Sequence, residues 1–176
     1  LDRFKDIGRL GDGAFANQRL SEEAMARGLS VINRLATLAK NKGYDRLIAV
    51  ATSAVREAKN GGDFIDLVKE QTGLTVRVIS GTEEARLIFL GIKNSVPMTE
   101  QASLAVDVGG GSVEIMAGNR DQLLHAKSLK LGAIRLADQF LKRTPPSDRM
   151  LRELEDLVTG QLVGTLESFK TRRFES

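Results

Sequence analysis

The sequence contains no cysteine and no tryptophan, and it has only one histidine and one tyrosine. Without cysteine, the chain has no disulfide bond, no thiolate metal ligand and no cysteine nucleophile. With so few aromatic side chains, it offers no platform on which nucleic-acid bases could stack. These absences predict a cytoplasmic protein and argue against nucleic acid as its partner.

A long hydrophobic run is also absent. Charged residues or glycines interrupt every apolar stretch well before the roughly 20 residues that a membrane-spanning helix requires. No signal-peptide pattern stands at the start, so we expect no membrane association. The chain begins at Leu1 rather than at methionine, and we expect it to be a piece of a longer protein.

Charge of one sign does not dominate either. The 26 Lys and Arg residues face 23 Asp and Glu residues, which gives a net charge of +3. Because the basic residues are scattered along the chain, the sequence favours small anionic ligands over duplex DNA. Hydrophobic residues make up 41% of the chain, enough for a substantial core.

Helical and strand patterns alternate along the chain and predict an α/β fold of mixed sheets flanked by helices. Residues 1–19 are predicted to form a loop. In residues 1–98 the patterns predict helices at 21–43, 64–71 and 81–94, and strands at 47–51 and 76–79. The first of these strands is continuously apolar, which predicts a parallel strand buried on both faces. In residues 99–176 they predict strands at 103–108, 112–117 and 122–130, then helices at 133–142 and 147–169. We therefore expect two lobes, 1–98 and 99–176.

The glycine run Gly109-Gly110-Gly111-Ser112, which joins two predicted strands, is the strongest local motif. Glycines let backbone N–H groups approach an anion without obstruction by a Cβ atom, so the run predicts a phosphate-binding loop. A dinucleotide-binding fingerprint would need a helix after the glycines, and here a strand follows.

Two acids flank this loop, and simple antiparallel counting places Asp107 directly opposite Glu114. Facing carboxylates repel each other, which favours a hard cation such as Mg²⁺ between them. The alternative interpretation is a glycine-rich hairpin with two solvated acids.

A second motif, Ser80-Gly81-Thr82-Glu83-Glu84-Ala85-Arg86, opens a predicted helix. Ser80 and Glu83 have the spacing of a capping box, in which each side chain binds a free backbone N–H group. Glu84 has no such structural task and could deprotonate a water molecule. Alternatively, it is an acid favoured by the positive end of the helix dipole.

Two strand-to-helix turns complete the candidates. Ser53 and Arg56 follow the strand 47–51, at the carboxyl end where open α/β sheets bind ligands. The Arg56 guanidinium could bind phosphate oxygens, although a hydroxyl cap and a solvated arginine are an equal alternative. Gly132 and Arg135 form a similar turn, which we interpret as a helix cap.

In this order, the motifs resemble those of the exopolyphosphatase and guanosine pentaphosphate phosphohydrolase family (Ppx/GppA), within the actin, sugar-kinase and Hsp70 superfamily. The resemblance covers nearly the whole chain, and the Ser-Gly-x-Glu-Glu-Ala-Arg stretch is its most specific part. It implies an actin-like (ribonuclease H-like) two-lobed fold. It also implies Mg²⁺-assisted attack of water on the terminal phosphate of inorganic polyphosphate or guanosine pentaphosphate.

The resemblance also assigns roles to individual residues. Glu84 would be the general base, and Asp107 and Glu114 would hold Mg²⁺. The implied phosphate-binding residues are Gly109, Gly110, Gly111, Ser112, Ser53 and Arg56.

One part of the family pattern has no match in the sequence. The family begins with a strand and a first phosphate loop of Asp-x-Gly-Ser-Asn type, and nothing similar precedes Leu1, so we expect little activity from this chain alone. Three alternatives stay open at this point: a sensor that binds an alarmone or nucleotide without hydrolysing it, an ATP-using kinase, and an actin-like ATPase. A homodimer is one assembly that the sequence leaves open.

Overall fold

The computed structural model describes residues 4–6 and 8–170, and it divides into two compact units, Leu1–Ile79 and Ser80–Ser176. In the first unit, the elements are α1 (Ala14–Asn17), α2 (Glu22–Asn41), β1 (Ala49–Ala51), α3 (Ser53–Glu57), α4 (Gly61–Thr72) and β2 (Val76–Val78). In the second, they are α5 (Gly81–Ser95), β3 (Ser103–Val108), β4 (Val113–Gly118), β5 (Leu123–Leu129), α6 (Ala133–Phe140) and α7 (Asp148–Lys170). The α/β class predicted from the sequence is confirmed.

In the first unit, β1 and β2 form a parallel pair, with Val50 opposite Arg77. Helix α2 begins where the Ser21 hydroxyl accepts a hydrogen bond from the Ala24 amide, 3.1 Å away. Helices α2 and α4 contribute to one hydrophobic core, in which Phe64 and Val68 are fully buried. The predicted parallel strand is thus confirmed.

The predicted burial of the first strand on both faces is wrong. Ile48 is 66% exposed and Val50 is 45% exposed, so among the described residues β1 is covered on one side only. A continuous apolar run predicts two covered faces only where other elements pack on both faces of the strand, and among the described residues one face of β1 is left uncovered.

In the second unit, β3, β4 and β5 form an antiparallel sheet with β4 in the centre. One face of the sheet packs against α5, where Ala85, Phe89 and Met116 form a buried cluster. The other face packs against α7 through Ile115 and Phe169. The central strand β4 is buried along its whole length because it is covered from both sides.

The boundary between the compact units differs from the predicted one at residues 98 and 99. Helix α5 packs against β4 and β5, so it belongs with the three-stranded sheet, and the units divide between Ile79 and Ser80. A sequence pattern shows that a helix is amphipathic but not which sheet its apolar face will meet.

The other predicted elements agree with the structure to within a few residues at each end. The short helices α1 and α3 were not predicted, and α1 lies in the segment expected to be a loop, of which residues 1–3 and 7 fall outside the description. No helix in the described part of the chain is both long enough and apolar enough to cross a membrane.

Candidate functional site

The glycine loop connects β3 to β4, and the register of this hairpin is the one that the sequence predicts. Asp107 lies directly opposite Glu114, and Val108 opposite Val113. The hairpin is closed by the Gly109 amide, which donates to the Ser112 carbonyl oxygen at 3.0 Å. The two acids therefore flank the glycines from neighbouring strands.

Glu114 is the most unusual of the acids because its side chain is only 1% exposed. The Ser128 hydroxyl on β5 donates to Glu114 Oε1 at 2.7 Å. Burial raises the pKa of the Glu114 carboxyl above its ordinary value, and the negative charges of Glu84 and Asp107 add to the increase. Hydrogen bonds from Ser128 and Ser112 act in the opposite direction. The two hydrogen bonds thus offset only part of the rise in the pKa of this buried carboxyl, which lies at the base of the loop.

Glu84 is brought to this site by the first turn of α5. The Ser80 hydroxyl caps the helix by accepting from the Glu83 amide at 3.1 Å, which is the Ser80 half of the predicted capping box. Glu84 is half-buried, and its charge acts on Glu114. The predicted base and the predicted metal-binding acids therefore lie in one electrostatic cluster within the second unit.

The neighbouring acid, Glu83, has a different environment. Its two carboxylate oxygens accept from the Arg86 guanidinium at 2.7 and 2.9 Å. The two residues are three positions apart on α5, and this bidentate ion pair gives Glu83 a structural function on the surface of the helix. Of the two consecutive glutamates, Glu84 is thus the better candidate for chemistry.

The acids also suit a magnesium ion that is held by few protein ligands. Within residues 4–6 and 8–170, no three His, Cys, Asp or Glu side chains are close enough together to hold one metal ion. Asp107 and Glu114 form a pair, however, and Mg²⁺ in phosphate-transfer sites is usually held by one or two carboxylates, with water and substrate phosphates as its remaining ligands. The residues present fit that arrangement.

The first residues of helix α6 bind the carbonyl oxygens of the glycine loop. The amides of Ala133 and Ile134 donate to the carbonyl oxygens of Gly109 and Gly110, both at 2.9 Å. A Cβ atom on Gly132 would lie 2.3 Å from the carbonyl carbon of Gly111, a distance that no side chain can tolerate. Only glycine at position 132 allows the helix to approach the loop so closely.

Arg135 supports the same loop with its side chain. It is only 6% exposed, and its Nε donates to the Gly111 carbonyl oxygen at 2.7 Å. The interpretation of Gly132 and Arg135 as a simple helix cap therefore missed their contact with the glycine loop. The available signal was the recurrence of a glycine at a strand-to-helix turn, which does not identify the partner of that turn.

The remaining candidates, Ser53 and Arg56, lie in the first unit. Ser53 is the first residue of α3 and is 6% exposed, directly after β1 as predicted. Arg56 Nη1 donates to the Ile79 carbonyl oxygen at 2.7 Å. Their proposed contact with substrate stays a prediction.

The fold and the site define a mixed α/β protein in which carboxylates on a helix and a hairpin surround a glycine loop. The chain belongs to the Ppx/GppA phosphatase family, because the model of that family matches residues 1–173. This confirms the resemblance seen in the sequence.

Relatives within the family share about a third of their residues with the chain. Exopolyphosphatase 1 of Mycobacterium tuberculosis is 32% identical over 154 residues, which cover 88% of this chain and 45% of the relative. A crystal structure of an exopolyphosphatase from Cytophaga hutchinsonii is 34% identical with a TM-score of 0.92, and the match covers 98% of this chain and 55% of that one. The Ppx/GppA enzyme of Aquifex aeolicus is 30% identical with a TM-score of 0.69, over 91% of this chain and 53% of that one. The chain thus spans about half the length of the proteins it matches.

Proposed function

We propose that the protein to which this chain contributes hydrolyses the terminal phosphate of inorganic polyphosphate. The observation that carries the proposal is the cluster of Glu84, Asp107 and Glu114 beside a glycine loop, in which one carboxyl is buried and electrostatically coupled to the other two. The curated relatives are named exopolyphosphatases, which supports polyphosphate as the first substrate to test. Guanosine pentaphosphate, with a similar terminal phosphate, is the second.

In the proposed reaction, the glycine loop binds the terminal phosphate through its backbone amides. Glu84 orients a water molecule and accepts its proton as the water oxygen attacks phosphorus. The bond between phosphorus and the bridging oxygen breaks, and the shortened phosphate chain leaves with the negative charge. The only covalent changes are at the phosphate, so no phosphorylated side chain is formed.

Asp107 and Glu114 would hold Mg²⁺ in this scheme. When bound, the ion would neutralise charge on the phosphate oxygens as the leaving group departs. The Ser128 hydroxyl keeps Glu114 in place, and the Ser112 hydroxyl gives it a second hydrogen bond. Contact of Ser53 and Arg56 with the substrate stays a prediction from the sequence. A cytoplasmic location and a homodimer stay predictions from the sequence.

The decisive test compares Glu84→Gln with Glu83→Gln in the full-length protein, by phosphate release from polyphosphate with and without Mg²⁺. Removing a general base costs about 100-fold or more in kcat. We expect that loss in Glu84→Gln, with an unchanged melting temperature. Glu83→Gln removes the same charge one residue away and should stay within about threefold of the unmodified protein, because its carboxylate binds Arg86.

Other outcomes would assign another function. Normal turnover in Glu84→Gln would remove Glu84 as the base. Tight binding of guanosine pentaphosphate without any product would favour a sensor, and ATP consumption that needs a small phosphate acceptor would favour a kinase. Measuring polyphosphate and guanosine pentaphosphate side by side would rank the two substrates.

A further inference from the structure

The direction of the glycine-loop amides is set by hydrogen bonds on the other side of the loop. In a trans peptide, the carbonyl oxygen and the following N–H group point in opposite directions. The loop carbonyls of Gly109, Gly110 and Gly111 all accept hydrogen bonds from α6. Their peptide planes therefore turn the next three amides, those of Gly110, Gly111 and Ser112, away from that helix.

These three amides have no acceptor among the described residues. Gly111 and Ser112 are nevertheless buried, Ser112 to 3% exposure. A buried N–H group without an acceptor costs about 1–3 kcal/mol, so native structures rarely retain one without a reason. Two such buried amides, at Gly111 and Ser112, together with the exposed amide of Gly110 on the same turn form a concavity of N–H groups of the kind that binds anions.

Three of the four hydrogen bonds that hold these carbonyls come from backbone amides of α6, and the fourth comes from a side chain. Arg135 Nε holds the Gly111 carbonyl and therefore the plane of the peptide that carries the Ser112 amide. Its backbone amide also donates to the Gly110 carbonyl at 3.1 Å. A charged donor on a carbonyl polarises the whole peptide group, which makes the N–H at its other end a stronger donor.

We propose that Arg135 is a positioning residue for the phosphate loop: by binding the Gly111 carbonyl, it fixes and strengthens the Ser112 amide that receives the terminal phosphate. This role rests on the proposed function, since it assumes that the loop binds phosphate. Arg135 acts on the substrate through the backbone and does not itself touch it. The ligand class is a terminal phosphate group with at least two unesterified oxygens.

The test uses the chain as it exists, labelled with ¹⁵N, and titrates tripolyphosphate in the presence of Mg²⁺ while the amide resonances of the loop are followed. In the unmodified chain, we expect saturable shifts at Gly110, Gly111 and Ser112. In Arg135→Met, the dissociation constant should rise about tenfold, as expected for one charge-assisted hydrogen bond, and the Ser112 shift should be lost first. Arg135→Lys keeps the charge and one donor, so its affinity should lie between the two.

Leu136→Ala is the matched control. Leu136 is the next residue of α6 and packs in the core beneath the sheet, so its truncation destabilises the unit without removing a contact to the loop. We expect a lower melting temperature with a dissociation constant within twofold of the unmodified value. A loss of affinity equal to that in Arg135→Met would show that the arginine acts through stability alone and would overturn the proposal.

Different outcomes test the phosphate loop and the role of Arg135. If the unmodified chain shows no tripolyphosphate-dependent shift at the loop, the proposed phosphate loop is wrong and the role of Arg135 falls with it. If the unmodified chain responds and Arg135→Met responds equally, the role of Arg135 is wrong and the proposed function stands. If Arg135→Met does not fold, Arg135→Lys decides, because an affinity equal to the unmodified value would contradict the requirement for the guanidinium.

Discussion

At the scale of single residues, Glu114 has a carboxyl group whose ionisation the folded structure disfavours. Burial and two nearby acids oppose its ionisation, and hydrogen bonds from Ser128 and Ser112 compensate only in part. Its pKa in the folded chain is therefore higher than in the unfolded chain. A group of this kind makes the folded state bind more protons, so the free energy of unfolding falls as the pH rises from the ordinary glutamate pKa through the raised one.

Glu114→Gln tests this linkage. The amide cannot ionise, so the variant should escape the fall in stability and become more stable than the unmodified chain above the raised pKa. Below the ordinary glutamate pKa, both carry a neutral side chain and should differ little. Urea unfolding at a series of pH values, without divalent cations, measures the free energy of unfolding of both proteins. If the two free energies change with pH in parallel, the pKa of Glu114 is not raised by folding.

The contacts of some site residues can be predicted from the sequence, and those of others cannot. The opposition of Asp107 and Glu114 follows from counting outward from a short turn, because a hairpin fixes its own register. The contacts of Gly132 and Arg135 with the loop do not follow in this way. They join residues more than 20 positions apart, and their distance depends on how α6 packs on the sheet.

At the scale of elements, the close packing of α6 on the glycine loop sets a strict steric limit at Gly132. Gly132→Ala would force the helix or the loop to move, since the new Cβ would meet backbone atoms of both Gly110 and Gly111. We expect a loss of about 1–3 kcal/mol in unfolding free energy, together with weaker phosphate binding. Chemical denaturation and the tripolyphosphate titration measure the two effects.

Gly160→Ala provides the control for that substitution. Gly160 lies in α7 with open space around its Cβ position. Alanine there should stabilise the helix by up to about 1 kcal/mol and leave phosphate binding unchanged. Equal destabilisation by both substitutions would contradict a steric limit that is specific to position 132.

The elements themselves were largely predictable because their local signals are strong. The Ser80 cap, the apolar periodicity of α5 and the turn between β3 and β4 are all encoded within a few residues. What the local pattern could not supply was the partner of each apolar face. The predicted burial of β1 on both faces was wrong for this reason, and α5, which the sequence places in the first lobe, packs in the second unit.

At the scale of the whole molecule, the outer strand β3 leaves an apolar row uncovered. Leu104, Val106 and Val108 are each more than half exposed, at 57%, 54% and 67%. They lie opposite Ala117, Ile115 and Val113, which are buried on the side of α7. The row therefore continues the hydrophobic face of the sheet to β3, which among the described residues has no strand partner on its outer side, an arrangement that promotes association.

Val106→Lys should reduce that tendency. Light scattering of the isolated chain at increasing concentration should show less association, and the binding of a hydrophobic dye should fall. Val163→Lys, at a similarly exposed position on α7, is the control and should change neither measurement strongly. If both substitutions act equally, net charge rather than the edge of the sheet governs association.

The buried contact between α5 and β4 has a further consequence. Ala85 and Met116 are both inaccessible to solvent, and each lies within two residues of an acid of the site, Glu84 or Glu114. Together with Phe89, they hold the start of α5 against β4, so their packing sets how far Glu84 lies from Glu114. A change of side-chain volume in this buried cluster would therefore alter the separation of Glu84 and Glu114 without touching either carboxylate.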